Sequence, residues 1–191
     1  MNLRMKSVLF LLALVIVSCS LSEQKGNDLM AKKYFDLDSL VESQIKQLES
    51  LNPTVNKSIT IGGKQEKKEF QSMDWEKELS VFINSDINKP KLLDLYKIEG
   101  PTTGKETLLS YEFIKKGMTG VQKMLITKDK NTRQVQSVEI ESLERNVIFS
   151  SHKNIDLIFK DNQLTSYSMK GFDKVAMRDT MWYDVEGILV Y

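Results

Sequence analysis

The chain of 191 residues is poor in several residue types that usually carry cross-links or chemistry. It has one cysteine, one histidine, 3 prolines and 9 glycines. A single cysteine excludes a disulfide within the chain, and the low glycine and proline content excludes collagen-like and low-complexity classes. No charge of one sign dominates, because 27 Lys and Arg stand against 26 Asp and Glu. We therefore expect no nucleic-acid partner, since such a partner calls for a strongly basic surface.

The remaining composition is that of an ordinary globular protein, with 41% hydrophobic and 28% charged residues, and the length suits one domain. One apolar run, from Val8 to Val17, follows the basic residues Arg4 and Lys6. A helix needs about 20 residues to cross the ~30 Å hydrocarbon layer of a bilayer, so this run is too short for a permanent span. Its length and its basic flank predict a secretory signal peptide over residues 1–18.

The four residues that close this segment, Ile16, Val17, Ser18 and Cys19, resemble the lipobox of bacterial lipoproteins. The chain is in this respect similar to the uncharacterised lipoproteins of Bacteroidota. The resemblance implies cleavage before Cys19 and attachment of diacylglycerol to its thiol, which makes membrane lipid the expected partner of this end of the chain. It places the protein in the cell envelope. Because Ser20 rather than Asp follows Cys19, it favours the outer membrane.

The segment that follows the cysteine has few large apolar residues. We therefore expect residues 19–33 to comprise the lipidated Cys19 and a flexible tether. As a flexible coil the 14 residues of 20–33 would span roughly 20 Å. Residues 34–191 contain no internal repeat and no boundary of composition, and they are predicted to form a single α+β domain.

Two segments of this domain have apolar residues at helical spacing. The first runs from Leu37 to Leu51 and ends before Pro53, because a residue that precedes proline disfavours the helical conformation. The second runs from Ser72 to Ile83. Between these helices the sequence predicts a short strand over Val55–Ile61 and a polar loop over residues 62–68.

From about residue 105 the apolar residues alternate with polar ones, which is the period of a strand with one buried face. The segments between these strands are too short for a crossover helix, so neighbouring strands should pair antiparallel. We therefore predict an α+β fold in which two N-terminal helices pack on a curved antiparallel meander sheet of about six to eight strands. The short turns that we predict include Lys116-Gly117, Lys153-Asn154 and Asp161-Asn162.

The sequence offers little equipment for catalysis. Residues 100–107 superficially resemble a phosphate-binding loop, but the glycine spacing is one residue short and Glu106 follows the lysine, where a Ser or Thr is required. A zinc site is poorly supported, since the chain has one histidine and Cys19 is assigned to the anchor. We expect no cofactor, no metal and no catalytic residue.

One enzymatic alternative stays open at this point, a hydrolase based on two carboxylates. Glu139, Glu141 and Glu144 are a sample group, but Glu139 and Glu141 alternate with Val138 and Ile140 and so indicate the solvated face of a strand. The single histidine, His152, is predicted to lie exposed beside a turn. We therefore interpret the protein as non-enzymatic.

Two short triads resemble the acceptor for O-glycosylation in envelope proteins of Bacteroidota. They are Asp38-Ser39-Leu40 and Asp179-Thr180-Met181, with Ser39 and Thr180 as the acceptors. Each triad also has a structural interpretation. Asp38 and Ser39 are candidate N-caps of the first helix, and Asp179-Thr180 is typical of a turn.

Aromatic and methionine residues cluster near the C-terminus, and four of them form a candidate ligand or partner face: Tyr167, Met169, Trp182 and Tyr183. The alternatives are an apolar groove and the core beneath the helices. Trp182 has the opposite parity to Tyr183 in its strand, so the two side chains should lie on opposite faces of the sheet.

These observations predict a membrane-anchored envelope lipoprotein that binds a hydrophobic ligand or an envelope protein. A structural or assembly subunit of an outer-membrane complex is the alternative. A further alternative is a carrier of a hydrophobic ligand in an apolar sheet groove, since a sheet that holds helices looks similar to the outer-membrane lipoprotein carriers.

Overall fold

The computed structural model describes residues 32–100 and 106–191. The predicted signal peptide, Cys19 and the tether up to residue 31 lie outside the described residues, so these remain predictions. Lys32–Tyr191 form a compact unit.

The described part is dominated by β-structure. It contains three α-helices, α1 (Leu37–Leu51), α2 (Trp75–Glu78) and α3 (Ser80–Asn84), and a 3-10 turn at Pro90–Leu92. The strands are β1 (Thr54–Ile61), β2 (Lys64–Phe70), β3 (Tyr96–Glu99), β4 (Glu106–Phe113), β5 (Gly120–Asp129), β6 (Val135–Arg145), β7 (Phe149–Lys160), β8 (Gln163–Val175) and β9 (Met181–Val190).

All nine strands belong to one sheet in the order β2-β1-β9-β8-β7-β6-β5-β4-β3, and every neighbouring pair is antiparallel. The predicted antiparallel meander is confirmed from β3 to β9. The first strand then pairs with the last, from Thr54 opposite Val190 to Ile61 opposite Tyr183. The predicted number of strands, six to eight, is wrong by at least one.

Strand β2 was not predicted from the sequence. Residues 62–68 were expected to form a polar loop, but Lys64–Phe70 pair with β1 along their whole length. Every residue of β2 except Phe70 is exposed, so the strand has no apolar face and shows no alternation. Charged residues on an edge strand hinder edge-to-edge association with another sheet, which accounts for this composition.

The predicted second helix is shorter and broken. It begins at Trp75, and its N-cap is Asp74, whose side chain accepts a hydrogen bond from the Lys77 amide at 3.1 Å. Leu79 interrupts the helix, with φ −94° and ψ 5°. Trp75, Leu79 and Phe82 are all buried. Of the two expected long helices only α1 is present in the described part, with the predicted bounds; its N-cap is Asp36 rather than Asp38 or Ser39.

The predicted turn at Lys153-Asn154 is wrong, and so is the position of His152 beside a turn. Residues 150–154 are polar, which imitates a turn, yet each of them pairs with β6 on one side and β8 on the other. The actual turn is at Asn146, whose side-chain oxygen accepts the Ile148 and Phe149 amides at 2.9 and 2.8 Å.

The core lies on one face of the sheet. Helix α1 contributes Leu37, Val41, Ile45 and Leu48, and the inward residues of the strands complete a single hydrophobic cluster. Within residues 32–100 and 106–191, every buried member of this cluster lies between Tyr34 and Leu189. A fragment that starts at residue 20 therefore keeps all of these core residues.

One buried polar side chain ties α1 to the sheet. The Gln44 amide nitrogen donates to the Asn162 carbonyl at 3.2 Å, and the Gln44 oxygen accepts the Leu164 amide at 2.9 Å. Gln44 thus satisfies two backbone groups at the β7–β8 turn, which would otherwise lose water without gaining a partner.

We expect Gln44→Leu to lower the free energy of unfolding by roughly 1–3 kcal/mol, because it leaves the buried Leu164 amide without an acceptor. Urea unfolding followed by circular dichroism measures the change. Gln47→Leu, on the same helix, is the matched control and should change the free energy of unfolding by about 0.5 kcal/mol or less. Equal losses in both variants would contradict a specific role for the Gln44 amide.

Candidate ligand cleft beside the first strand

A cleft of about 470 Å³ lies between the helices α2 and α3 and the inward face of β1, β9 and β8. Small-molecule sites in proteins have volumes of about 300–1,000 Å³ and mostly apolar walls. The walls here are formed largely by half-buried apolar side chains, namely Ile59, Met73, Val81, Met169 and Val185.

The strand register explains why these side chains meet. Val185 lies opposite Ile59 on one side and opposite Met169 on the other, so the three form a row across β1, β9 and β8. Residues directly opposite each other in antiparallel strands point to the same face. Val81 of α3 and Met73, in the segment that precedes α2, face this row.

Three polar side chains converge on one wall of the cleft. The Lys57 amine lies 2.5 Å from Glu78 Oε1, and the Tyr167 hydroxyl donates to the same oxygen at 2.7 Å. The Lys57 and Glu78 side chains are only 15% and 17% exposed, so this is a largely buried ion pair. Two donors on one carboxylate oxygen offset part of the cost of removing these charges from water.

The phenol of Tyr167 is held in its protonated form. Burial raises the pKa of Tyr167, and the Glu78 carboxylate raises this pKa further because a phenolate beside it would be repelled. The hydroxyl therefore acts as a hydrogen-bond donor to Glu78. The polar wall is a fixed network of one cation, one carboxylate and one neutral donor.

A glycine makes room for the tyrosine. Gly187 lies opposite Tyr167, and a Cβ atom on Gly187 would approach the Tyr167 ring to 2.2 Å. The ring therefore lies directly on the bare backbone of β9. A second pair of this kind lies four residues away, with the glycine on β8 and the tyrosine on β9. Gly171 lies opposite Tyr183, and a Cβ atom on Gly171 would come within 2.9 Å of the Tyr183 hydroxyl.

The structure divides the four residues of the predicted ligand or partner face. Tyr167 and Met169 line the cleft. Tyr183 is on the same face of the sheet but beyond the cleft, above Gly171. Trp182 is on the opposite face, as its parity predicts; it is 61% exposed, and its ring packs 5.0 Å from that of Phe172.

The carboxylates considered for hydrolysis do not line this cleft. Glu141 bonds the His152 ring at 2.9 Å on the outer face of the sheet. Glu139 is exposed on the same face. Within residues 32–100 and 106–191, no three His, Cys, Asp or Glu side chains are grouped closely enough to hold a metal ion.

Sequence reasoning missed Lys57, Glu78 and Gly187. One signal was available, since Lys57 stands between Val55 and Ile59 at a position whose parity is inward, and an inward lysine needs a partner. Nothing in the sequence identified that partner, because Glu78 lies 21 residues away on a different element.

We expect Gly187→Ala to lower the free energy of unfolding by roughly 1–3 kcal/mol, because its methyl group must displace the Tyr167 ring. Gly100→Ala is the control, since nothing lies within 4 Å of its Cβ position. Thermal unfolding measures both variants. Equal stability of the Gly187 variant and the wild-type protein would contradict the close packing of Tyr167 on β9.

Comparison with known proteins adds no further constraint on this site. No protein-family model, no curated protein and no solved structure matches the chain. None of the helices in the described part has the length and apolar character that crossing a membrane requires.

Proposed function

We propose that this protein is a non-enzymatic, membrane-anchored envelope lipoprotein whose folded part binds a small amphipathic ligand. The observation that carries the proposal is the cleft of about 470 Å³, which combines apolar walls with one buried cation. Such a combination suits a molecule with an apolar body and an anionic head.

The apolar body of the ligand would lie along Met73, Val81, Met169 and Val185. Two of these residues are methionines, whose flexible side chains adapt to acyl chains of different shape. The anionic head would approach Lys57, which already has a carboxylate partner in Glu78. The ligand therefore competes with, or adds to, an existing ion pair.

Binding rather than catalysis fits the polar wall. A general base or nucleophile needs a free lone pair aimed at its substrate. Oxygen Oε1 of Glu78 is instead engaged by both Lys57 and Tyr167. This arrangement favours a fixed recognition element over a group that must gain and lose a proton.

The anchor is the second part of the proposal. The lipobox resemblance over residues 16–19 and the signal-like segment before it support acylation of Cys19 and an outer-membrane location. A ligand cleft held near a bilayer would have direct access to amphipathic molecules that leave the membrane. The two parts of the proposal are tested separately.

For the cleft, the test is native mass spectrometry of the fragment 20–191, together with titration of a fluorescent long-chain fatty acid. We expect co-purified lipid and saturable binding. Val185→Trp should weaken binding at least about tenfold because the indole fills the cleft. Val190→Trp is the matched control on the same strand, and its position is exposed. Equal binding by the two variants would exclude the cleft as the site.

The variant Lys57→Met distinguishes recognition of the ligand's head group from recognition of its apolar body. It should weaken binding of the fatty acid more than binding of its methyl ester, because only the acid carries a charge. Equal effects on both ligands would mean that Lys57 does not recognise the head group. Absence of bound lipid and of titratable binding in the wild-type fragment would refute the proposed ligand.

For the anchor, metabolic labelling of cells with a fatty-acid analogue gives a direct test. We expect label in the wild-type protein and none in Cys19→Ala, since the thiol at that position is the acceptor. Immunoblotting of both proteins controls for expression. Label that persists in the alanine variant would refute the assignment of Cys19.

A further inference from the structure

One end of the sheet displays an unusual number of apolar side chains. Four hairpin turns lie side by side there, at residues 61–64, 114–119, 145–148 and 174–180, because the sheet order places β2-β1, β9-β8, β7-β6 and β5-β4 in sequence. We call these four turns the hairpin rim. Of the fifteen large apolar residues that are exposed in the described part, nine lie in the hairpin rim or within two residues of it, so the pattern is not a random scatter.

The most exposed of these residues stand at the tips of the turns. Val147 is 99% exposed and Met177 is 106% exposed. Ile148 and Met118 project from the tips of neighbouring hairpins and are each more than half exposed. None of these four side chains belongs to the hydrophobic core. Their apolar character therefore has no explanation in folding.

The backbone at Met177 supports this conclusion. Met177 has φ +61°, in the left-handed region that favours glycine or asparagine. A turn selected for stability alone would carry one of those residues. The strained position carries instead a long apolar side chain that points into solvent, which indicates that the side chain itself is needed.

The hairpin rim is an ordered surface. The Ala176 amide donates to the Ile148 carbonyl at 2.8 Å, which joins the third and fourth turns. The Thr119 hydroxyl exchanges hydrogen bonds of 2.9 and 3.0 Å with the backbone of Arg145, and the Gly62 amide donates to the Trp182 carbonyl at 3.0 Å. The second, third and fourth turns are thus linked to one another directly, and the first turn is linked to the start of β9, next to the fourth.

The tips of the hairpin rim are basic. Its turns themselves contain six basic residues and one acidic residue, and the acidic residues Glu66, Glu112, Glu144 and Asp173 lie one or two positions back along the strands, where Glu112 pairs with Lys116. The acidic residue is Asp179, and the basic residues are Lys64, Lys115, Lys116, Arg145, Lys174 and Arg178. Apolar tips among basic side chains are the combination that binds the surface of an anionic bilayer.

An aromatic row continues the hairpin rim onto the outer face of the sheet. The rings of His152, Phe172 and Trp182 lie in sequence on β7, β8 and β9, with centroids 6.1 and 5.0 Å apart. Exposed tryptophan prefers the boundary between head groups and acyl chains. Protein interfaces are depleted in lysine, and the rim is rich in it, which favours lipid over a protein partner.

One side chain near the start of the described residues also reaches this end of the sheet. Lys33 pairs with Asp94, and the carbonyl of the next residue, Leu95, accepts the amide of Ile114 in the rim at 2.9 Å. Only the role of the rim beside an acylated Cys19 rests on the proposed function.

We propose that the hairpin rim docks onto an anionic phospholipid surface, with the apolar tips inserted at the head-group boundary and the basic residues bound to phosphates. With an acylated Cys19, the rim would supply a second contact with the bilayer and would orient the domain. The cleft would then be held at a fixed height above the membrane.

The test uses the unacylated fragment 20–191 and vesicle co-sedimentation. Vesicles contain phosphatidylglycerol with phosphatidylethanolamine, or phosphatidylcholine alone. We expect binding to the anionic vesicles, weakened by added salt. The double variant Val147→Asp with Met177→Asp should bind at least about tenfold more weakly. Ile188→Asp with Val190→Asp, at exposed positions away from the rim, is the matched control and should bind as the wild type does.

Charge reversal at Lys115 and Arg178 gives an independent measure. Each reversal should weaken binding by more than about fivefold, since a basic residue near an anionic surface contributes about that factor and the reversal also adds a repelled negative charge. Reversal of Lys160, on the strand end far from the rim, should have a smaller effect. Equal losses at the three positions would mean that net charge rather than the rim controls binding, and would overturn the proposal.

Tryptophan fluorescence reports the orientation. Trp182 is exposed and Trp75 is 2% exposed, so quenching by brominated lipid should arise from Trp182 and disappear in Trp182→Phe.

Absence of vesicle binding, or a dimer that the Met177→Asp change dissociates without vesicles, would overturn the proposal. Titration of the rim variants with the fatty acid tests the two proposals separately. Variants that lose vesicle binding but still bind the fatty acid would show that the rim and the cleft are distinct sites, as both proposals require.

Discussion

The pairing of the first strand with the last is the constraint on which the rest of the molecule depends. Because β1 adds to β9 rather than to β3, the chain must pass from one edge of the sheet to the other before the meander begins. The helices α2 and α3 lie on that path. They cross the inward face beside β1, β9 and β8, and the cleft is the space that they leave. Without this pairing, Lys57 would have no sheet neighbour in β9 and Glu78 no cation to meet.

Around the cleft, the apolar packing between the helices and the sheet is incomplete, and specific polar contacts hold the two layers together instead. Gly187 has no side chain on the inward face of β9, and the Tyr167 ring occupies the space that a side chain would fill. This brings the phenol to the Glu78 oxygen that Lys57 also binds. A buried ion pair is a weak source of stability on its own. Its value here lies in holding α2 at a defined distance from the sheet, and half-buried apolar side chains then line the remaining space.

The two ends of the sheet have different roles in this arrangement. At the β7–β8 turn, the buried Gln44 amide joins α1 to the backbone of the sheet by two hydrogen bonds. At the opposite end, the turns are joined by hydrogen bonds to one another, and their apolar side chains point outward. The asymmetry follows from antiparallel topology, which places every second turn at the same end and so allows the sequences of four separate hairpins to form one surface.

The sequence by itself determined the local elements. It specified α1 from Leu37 to Leu51, the alternation that makes the meander antiparallel, and the opposite faces of Trp182 and Tyr183, because these depend on period and on neighbours along the chain. The tertiary structure alone decided the rest. The strand β2 has no alternation because both of its faces are exposed, and the polar stretch of β7 is a strand because β6 and β8 pair with it on both sides. Lys57, Glu78 and Tyr167 meet because the first strand pairs with the last, and a contact between residues so far apart in the chain leaves no periodic signal in the sequence.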